Sequence, residues 1–261
     1  MNSSRFGLHA LLVATSLFMA GTAAAEVTVE NQIIQSGLFV KPECKPEGIE
    51  GFNECSCLAD IHTPLLKGLA DIAKQNELNA SFVKLANQQR CEGKESQTES
   101  KEEPASSTFN FEISYQTPTL IALRFENWSY TGGAHGNGAV GGFIIDLQQG
   151  RILGLRDIFV PASLPQLNKF INDALSAEPE GEVFHDAIES FKGEFLTDSQ
   201  CKSCTIVLAE DGLKVVFQTY AVSSFANGPM EVQVPAQYVA YPALQEAFKN
   251  LKPTTPTQET K

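Results

Sequence analysis

The chain has 261 residues, 43% of them hydrophobic and 19% charged, with a formal net charge of −12. This balance suits a globular protein and argues against nucleic acid or an anionic membrane as partner, since an acidic surface is repelled by both. It favours a basic partner through electrostatic steering, although solubility alone also accounts for such a charge.

The first residues read as an export signal. Arg5 gives a short positive region, Leu8 to Met19 is mostly apolar, and Ala23-Ala24-Ala25 offers a small-residue cleavage site before Glu26. The apolar run is too short for a spanning helix, and no later run is long enough to cross a membrane. Removing residues 1–25 takes away Arg5 and no acid, which leaves a charge of −13. No cysteine lies near the cut, so a lipid-anchored start is not expected. The expected location is periplasmic or secreted.

Six cysteines follow: Cys44, Cys55, Cys57, Cys91, Cys201 and Cys204. An even number in an exported chain reads as disulfides. The economical pairing is two bridges among the first four, with their connectivity open, and a local Cys201–Cys204 clip. Zinc at Cys55, Cys57 and Cys91 is the rival reading, but the spacing does not match common zinc motifs. Cys201-Lys202-Ser203-Cys204 has redox-motif spacing, yet it precedes a strand pattern where a redox pair opens a helix, so a structural clip is favoured. No metal or other cofactor is expected.

Val27 to Val40 alternates in places and reads as a strand. Residues 41–57, rich in Pro, Gly, Glu and Cys, read as a disulfide-held loop. Ile61, Leu65, Leu69 and Ile72 recur at helical spacing with Pro64 in the first turn, which predicts a helix. A second helical piece covers Phe82 to Asn87. Residues 92–107 hold no large apolar side chain and read as a mobile insertion.

The period then switches to two. Phe109, Phe111, Ile113 and Tyr115 make one face, and Thr117-Pro118 a turn. Ile121, Leu123 and Phe125 lead through Trp128 into a glycine loop, and Val140 to Leu147 lies beyond it. Three such runs with short connections predict an antiparallel meander. Ser163 and Pro165 open a helix with Leu164, Leu167, Phe170, Ile171, Ala174 and Leu175 on its buried face. Phe184, Ile188, Phe191 and Phe195 mark another. Strands return at Thr205 to Ala209 and Leu213 to Gln218, with a hairpin turn at Asp211-Gly212. Val232 and Val234 mark a last strand, Leu244, Ala247, Phe248 and Leu251 a closing helix, and 252–261 a disordered tail. The class is α+β: an antiparallel sheet with packed helices, stabilised by disulfides. The organisation is a signal peptide (1–25), an N-terminal α+β portion (26–107), a C-terminal domain (108–251) and the tail.

The chemistry concentrates at Ser129 to Gly138, where four glycines surround Tyr130, His135 and Asn137. A turn needs one or two glycines. His135 could act as a base only with a nucleophile and an orienting group in reach. Ser129 and Asp146 could complete a triad, but nothing in their spacing favours it. No nucleophile elbow, metalloprotease helix or phosphate loop is present. The bland reading, in which both ring nitrogens of His135 tie the loop together, is preferred, with a binding role next. His62 and His185 lie in helical patterns and read as ordinary helix residues. Tyr220, Phe225, Gly228 and Pro229 form a second aromatic-glycine stretch. If the two loops meet at one end of the sheet, they make an interaction surface. The candidate binding residues are Tyr130, Gly132, Gly133, His135, Asn137, Tyr220 and Phe225.

Three passages together resemble one family. They are Tyr130-Thr131-Gly132-Gly133-Ala134-His135, then Asp146 to Gly150 through Leu155-Arg156-Asp157-Ile158-Phe159, then Asp211-Gly212-Leu213 with Phe217 to Ala221, Phe225 to Pro229 and Val232 to Pro235. In this order they resemble the exported domain of RsiV-type anti-sigma factors, which also accompanies PdaC-type deacetylases as a non-catalytic part. The good match spans residues 109–250. The resemblance implies an α+β module outside the membrane that in one branch binds lysozyme. It implies no reaction here, because the chain shows neither a spanning helix nor room for a deacetylase domain. Gly136 also stands where many members have Pro. The expected function is an exported binding module of the cell envelope, with a cationic protein such as lysozyme or peptidoglycan as partner. The alternatives are a peptidoglycan-fragment hydrolase and a structural envelope protein without ligand.

Overall fold

A computed structural model describes residues 26–40, 56–91, 105–179 and 181–250. The expectations for the signal peptide, for Cys44 and Cys55, for residues 92–104 and for the tail lie outside these residues.

The larger sheet has six strands in chain order: β1 (Thr28–Val40), β2 (Ser56–Lys67), β3 (Ala105–Gln116), β4 (Leu120–Tyr130), β5 (Asn137–Asp146) and β6 (Arg151–Ile152). Neighbours are antiparallel except β2 and β3, which run parallel from Cys57↔Ala105 to Ile61↔Phe109. A parallel pair needs a long crossover, and helix α1 (Ile72–Asn87) supplies part of it. The smaller sheet is an antiparallel meander of β7 (Cys204–Ala209), β8 (Gly212–Phe217) and β9 (Met230–Gln233). Helices α2 (Leu155–Ile158), α3 (Leu164–Ser176), α4 (His185–Ser190) and α5 (Pro242–Asn250) complete the α+β fold.

Two hydrophobic cores lie on opposite faces of the large sheet. Leu78, Phe82 and Ala86 of α1 pack with Ile61, Phe109, Ile121, Leu123, Phe125 and Ile145. On the other face Leu120, Ala122 and Ile144 pack with Leu167, Ile171 and Leu175 of α3, with Leu244 of α5, and with Leu208, Leu213, Val215 and Phe217 of the second sheet. Alternating side chains of β4 therefore enter different cores, as the period of a strand requires. Burying a side chain such as Phe82 or Phe217, both at 0% exposure, contributes about 1.5–3 kcal/mol. The sheets approach closely at Gly142, where an added Cβ would overlap the Ile206 carbonyl. There the Gly142 N–H donates to Thr205 Oγ1 at 3.1 Å. An ionic cluster also joins the sheets: Arg124 of β4 reaches Glu231 of β9 at 3.0 Å, and Glu231 meets Lys214 of β8 at 3.0 Å.

The helix expected over Ile61 to Ile72 is a strand as far as Lys67, and His62 stands in that strand. Thr63, Pro64 and Leu66 are all buried, which erases the alternation that would reveal a strand. Pro64 is tolerated because β3 leaves β2 after Ile61, so its side of the strand has no ladder to interrupt. The helix instead starts after Asp71, whose side chain accepts from the Lys74 N–H at 3.1 Å. β3 begins at Ala105, inside the expected insertion. The helix expected through Phe195 stops at Ser190, because Lys192 (φ 52°) and Gly193 (φ 69°) turn left-handed. The small-sheet hairpin turns at Glu210-Asp211, with Ala209 facing Gly212.

Three side-chain amides clasp the backbone where pairing stops. Asn79 accepts from Leu66 N (2.8 Å) and donates to Leu66 O (2.9 Å). Asn168 does the same for Leu196 at 2.8 and 2.7 Å, and Gln218 for Val140 at 2.9 and 2.8 Å. Each replaces one missing rung of a ladder and satisfies a donor and an acceptor together.

Two disulfides are present, Cys57–Cys91 with Cα atoms 5.6 Å apart and Cys201–Cys204 at 5.2 Å. The first ties the start of β2 to the turn after α1. The second closes the entry to β7, where Ser203 takes a left-handed φ of 52°. Such bonds fit a protein outside the cytoplasm. Among the described residues no helix is long and apolar enough to cross a membrane.

Candidate functional site

The β4–β5 loop and the loop between β8 and β9 meet at one end of the sheets, and Gln218 brings them together. Its clasp on Val140 fixes the start of the second loop against β5. The loop is then held by Ala221 N–H to Gln218 O (2.9 Å), Phe184 N–H to Val222 O (2.7 Å) and Ser223 Oγ to Gly228 O (2.9 Å).

His135 sits where the loops touch. Its Nδ1–H donates to the Gly136 carbonyl at 2.8 Å. That leaves Nε2 to accept from the Tyr220 hydroxyl at 3.0 Å. The imidazole stacks on Phe225, with centroids 4.0 Å apart and planes at 16°. Trp128 and Tyr220 flank Phe225 at 6.1 and 6.0 Å. Tyr130 closes its own loop by donating to the Gly133 carbonyl at 3.1 Å. The result is an aromatic surface with Phe225 at its centre. Tyr220 is 50% exposed and Trp128 36%.

The glycines have separate reasons. Gly132 (φ 111°) and Gly133 (φ 95°) take left-handed backbone that other residues avoid. Gly136 and Gly138 lie under the Trp128 indole. A Cβ on Gly136 would come within 2.5 Å of Trp128 Cζ2, and one on Gly138 within 3.2 Å of Cε3. Trp128 faces Gly138 in the strand register, so the indole covers backbone that no side chain shields.

Of the residues expected at the site, Tyr130, Gly132, Gly133 and His135 share the first loop, and Tyr220 and Phe225 meet them. Asn137 does not join them. It pairs with Ser129, one register position from Trp128, and so faces the opposite side of the hairpin. Sequence reasoning passed over two members, Trp128 and Gln218. Trp128 is the chain's single tryptophan and precedes the loop by one residue. That position was the available signal. Gln218 stands in the Phe217 to Ala221 passage that carries the family resemblance, but nothing there points to Val140, which is distant in sequence.

Chemically the surface offers ring faces. Both nitrogens of His135 are bonded, and neither Ser129 nor Asp146 is among its partners. Asp146, 6% exposed, accepts instead from the Tyr241 hydroxyl and from the Gln149 N–H. Burial, then the bond to Asp146, pushes the Tyr241 phenol up to about 12. Arg151 grips both oxygens of Asp157 at 2.7 and 2.8 Å, and the Gly154 N–H adds a bond at 2.8 Å. The Arg151 bond holds the Asp157 carboxyl below its usual range, against the upward pull of desolvation. This second cluster anchors the β5–β6 turn to α2 and to the start of α5. Among the described residues no three His, Cys, Asp or Glu side chains converge as a metal-ligand set.

Comparison with known proteins gives two family matches in tandem. Residues 52–138 match the model for deacetylase PdaC, and residues 156–237 that for the protein of unknown function DUF3298. The first match reaches well upstream of the region that the sequence motifs alone covered. A solved member of the DUF3298 family from Bacteroides fragilis is 18% identical, with a TM-score of 0.55 over 86% of this chain and 99% of that one. A DUF3298 family protein from Pseudomonas aeruginosa is 17% identical, with a TM-score of 0.49 over 85% and 97%. At 18% identity the likeness to the Bacteroides fragilis structure is one of fold. No curated protein matches the chain.

Proposed function

We propose, from the premise that the chain belongs to a PdaC-associated family of unknown function, that it is an exported, non-catalytic binding module of the cell envelope. The observation that carries this reading is the convergence of two loops into a fixed, exposed aromatic surface whose histidine already spends both nitrogens on internal bonds. A general base would need one of them free or aimed at a nucleophile. Aromatic side chains held in place and open to solvent are what a contact surface presents.

The candidate partners are a cationic protein, for which a lysozyme is the concrete case, and peptidoglycan. The net charge of −12 supports the first through steering. Isothermal calorimetry with a cationic lysozyme and with soluble peptidoglycan fragments tests the reading. Saturable binding of either is expected. Absence of both at low salt refutes it. The rival reading, a hydrolase acting on peptidoglycan fragments, predicts that His135→Ala abolishes turnover of muropeptides. The binding reading predicts no turnover in either protein.

A further inference from the structure

We infer that the Trp128–Phe225–Tyr220 surface is a stacking platform for a neutral sugar ring, that is, a pyranose unit of an oligosaccharide. The inference rests on the binding-module reading and names its ligand class.

Backbone strain supplies the first argument. Tyr220 holds φ at 67°, a region that glycine occupies freely and a bulky aromatic residue rarely does. Its ring is half exposed, so core packing does not explain why a large side chain stands there. Strain of this kind collects where a side chain is needed for contact with a ligand.

The second argument is the chemistry of the surface. Its ring faces carry negative quadrupole potential. The axial C–H groups of a pyranose are weakly positive and present a flat face of matching kind. Among the described residues no Asp, Glu, Lys or Arg is in ring contact with the cluster. The nearest charges along β4, Glu126 and Arg124, are bonded to each other at 3.1 Å, and Arg124 also reaches Glu231 at 3.0 Å. Among the described residues of β4, these charges are therefore already committed to one another rather than to a phosphate or an ammonium group. A nucleobase could stack, but its phosphate chain would meet a protein of charge −12.

Pre-organisation is the third. The Tyr220 hydroxyl and both His135 nitrogens are bonded, and Trp128 rests on Gly136 and Gly138. The rings are fixed before a ligand arrives, so binding immobilises few rotamers.

Trp128 is the single tryptophan of the chain, so its emission reports this surface alone. The experiment titrates the full chain with cellotetraose and with the N-acetylglucosamine tetramer, following tryptophan fluorescence and confirming by calorimetry. A saturable change in emission is expected with at least one of them. Tyr220→Gly removes the ring while suiting the left-handed backbone. It should fold with an unchanged or raised unfolding midpoint and bind about 10-fold more weakly or worse. Tyr220→Phe keeps the ring and should bind within about 3-fold of wild type, because stacking carries the contact. Two results overturn the proposal: no binding of either tetramer at millimolar concentration, or a Tyr220→Gly protein that binds as tightly as wild type. A parallel titration with a cationic lysozyme separates the two levels. If lysozyme binds and the tetramers do not, the sugar assignment falls and the binding-module reading stands. If nothing binds, both fall.

Discussion

Gln218 offers the sharpest test of how the two loops are held. Its amide accepts from the Val140 N–H at 2.9 Å and donates to the Val140 carbonyl at 2.8 Å, in partly buried surroundings. In Gln218→Ala each lost bond costs about 1 kcal/mol, and stranding the Val140 N–H adds about 1 kcal/mol more, so about 3 kcal/mol in all. For a domain of this size that lowers Tm by roughly 6–12 °C. Urea unfolding at unchanged m gives the difference directly from the shift in midpoint. Gln218→Glu separates the bonds from the packing. It keeps the acceptor but sets a carboxylate against the Val140 carbonyl, so it should be at least as destabilising at neutral pH. Measured against wild type at the same pH, it should recover below about pH 4, where a protonated carboxyl can donate. A loss below about 0.5 kcal/mol in Gln218→Ala, the range of ordinary surface changes, would refute the reasoning.

Gly136→Ala should cost about 1–3 kcal/mol, because its methyl would meet the indole and the Ser129 carbonyl. Gly141→Ala, whose methyl would lie 3.6 Å from the Phe125 Cβ, should stay within about 0.5 kcal/mol; urea midpoints compare the two. Asp157 is held below its ordinary carboxyl range by Arg151, so its contribution is full above about pH 4 and fades as pH falls through its folded value. Asp157→Asn should flatten the acid limb of a stability–pH curve. Tyr241 titrates the other way: with its phenol raised to about 12, it favours folding below about pH 10 and loses that contribution as pH rises from about 10 to 12. Ultraviolet titration should show one late phenol that is missing in Tyr241→Phe. Removing the Cys57–Cys91 bond, which spans 34 positions, should cost about 4 kcal/mol by loop entropy, against about 2 kcal/mol for the Cys201–Cys204 clip. Double alanine variants measured by thermal unfolding check this.

The parts of the fold legible in the sequence carry a signal beyond burial alone. β3 alternates over Phe109, Phe111, Ile113 and Tyr115, β4 and β5 are apolar runs set off by turn and glycine residues although both are buried on two faces in part, and α3 carries its Ser163 start and its buried face in plain view. β2 misleads because Thr63, Pro64 and Leu66 are all buried, so the outward polar positions that mark a strand are missing and the Ile61–Leu65–Leu69–Ile72 spacing mimics a helix. At the site, the glycines and His135 announced themselves by composition. The partnership with Tyr220 and Phe225 was only conditional in the sequence, since it depends on contacts across some 85 positions. The Gln218 clasp is invisible for the same reason, and Asn137 lies close to His135 in the chain although strand alternation turns it away.

β4 has a consequence for where this protein can be divided. It lies within the segment matched by one family model, yet Leu120 and Ala122 are covered by Leu167 and Ile171 from the segment matched by the other. Its other face, through Ile121, Leu123 and Phe125, closes on α1. Cutting between the segments strips the Leu120 and Ala122 face of that strand and removes both residues from the core around Leu167 and Ile171. The expected outcome is that the two matched segments melt together in one transition and that the segment holding Leu167 and Ile171 is not stable without β4, which calorimetric unfolding of the full chain and of the separate segments checks.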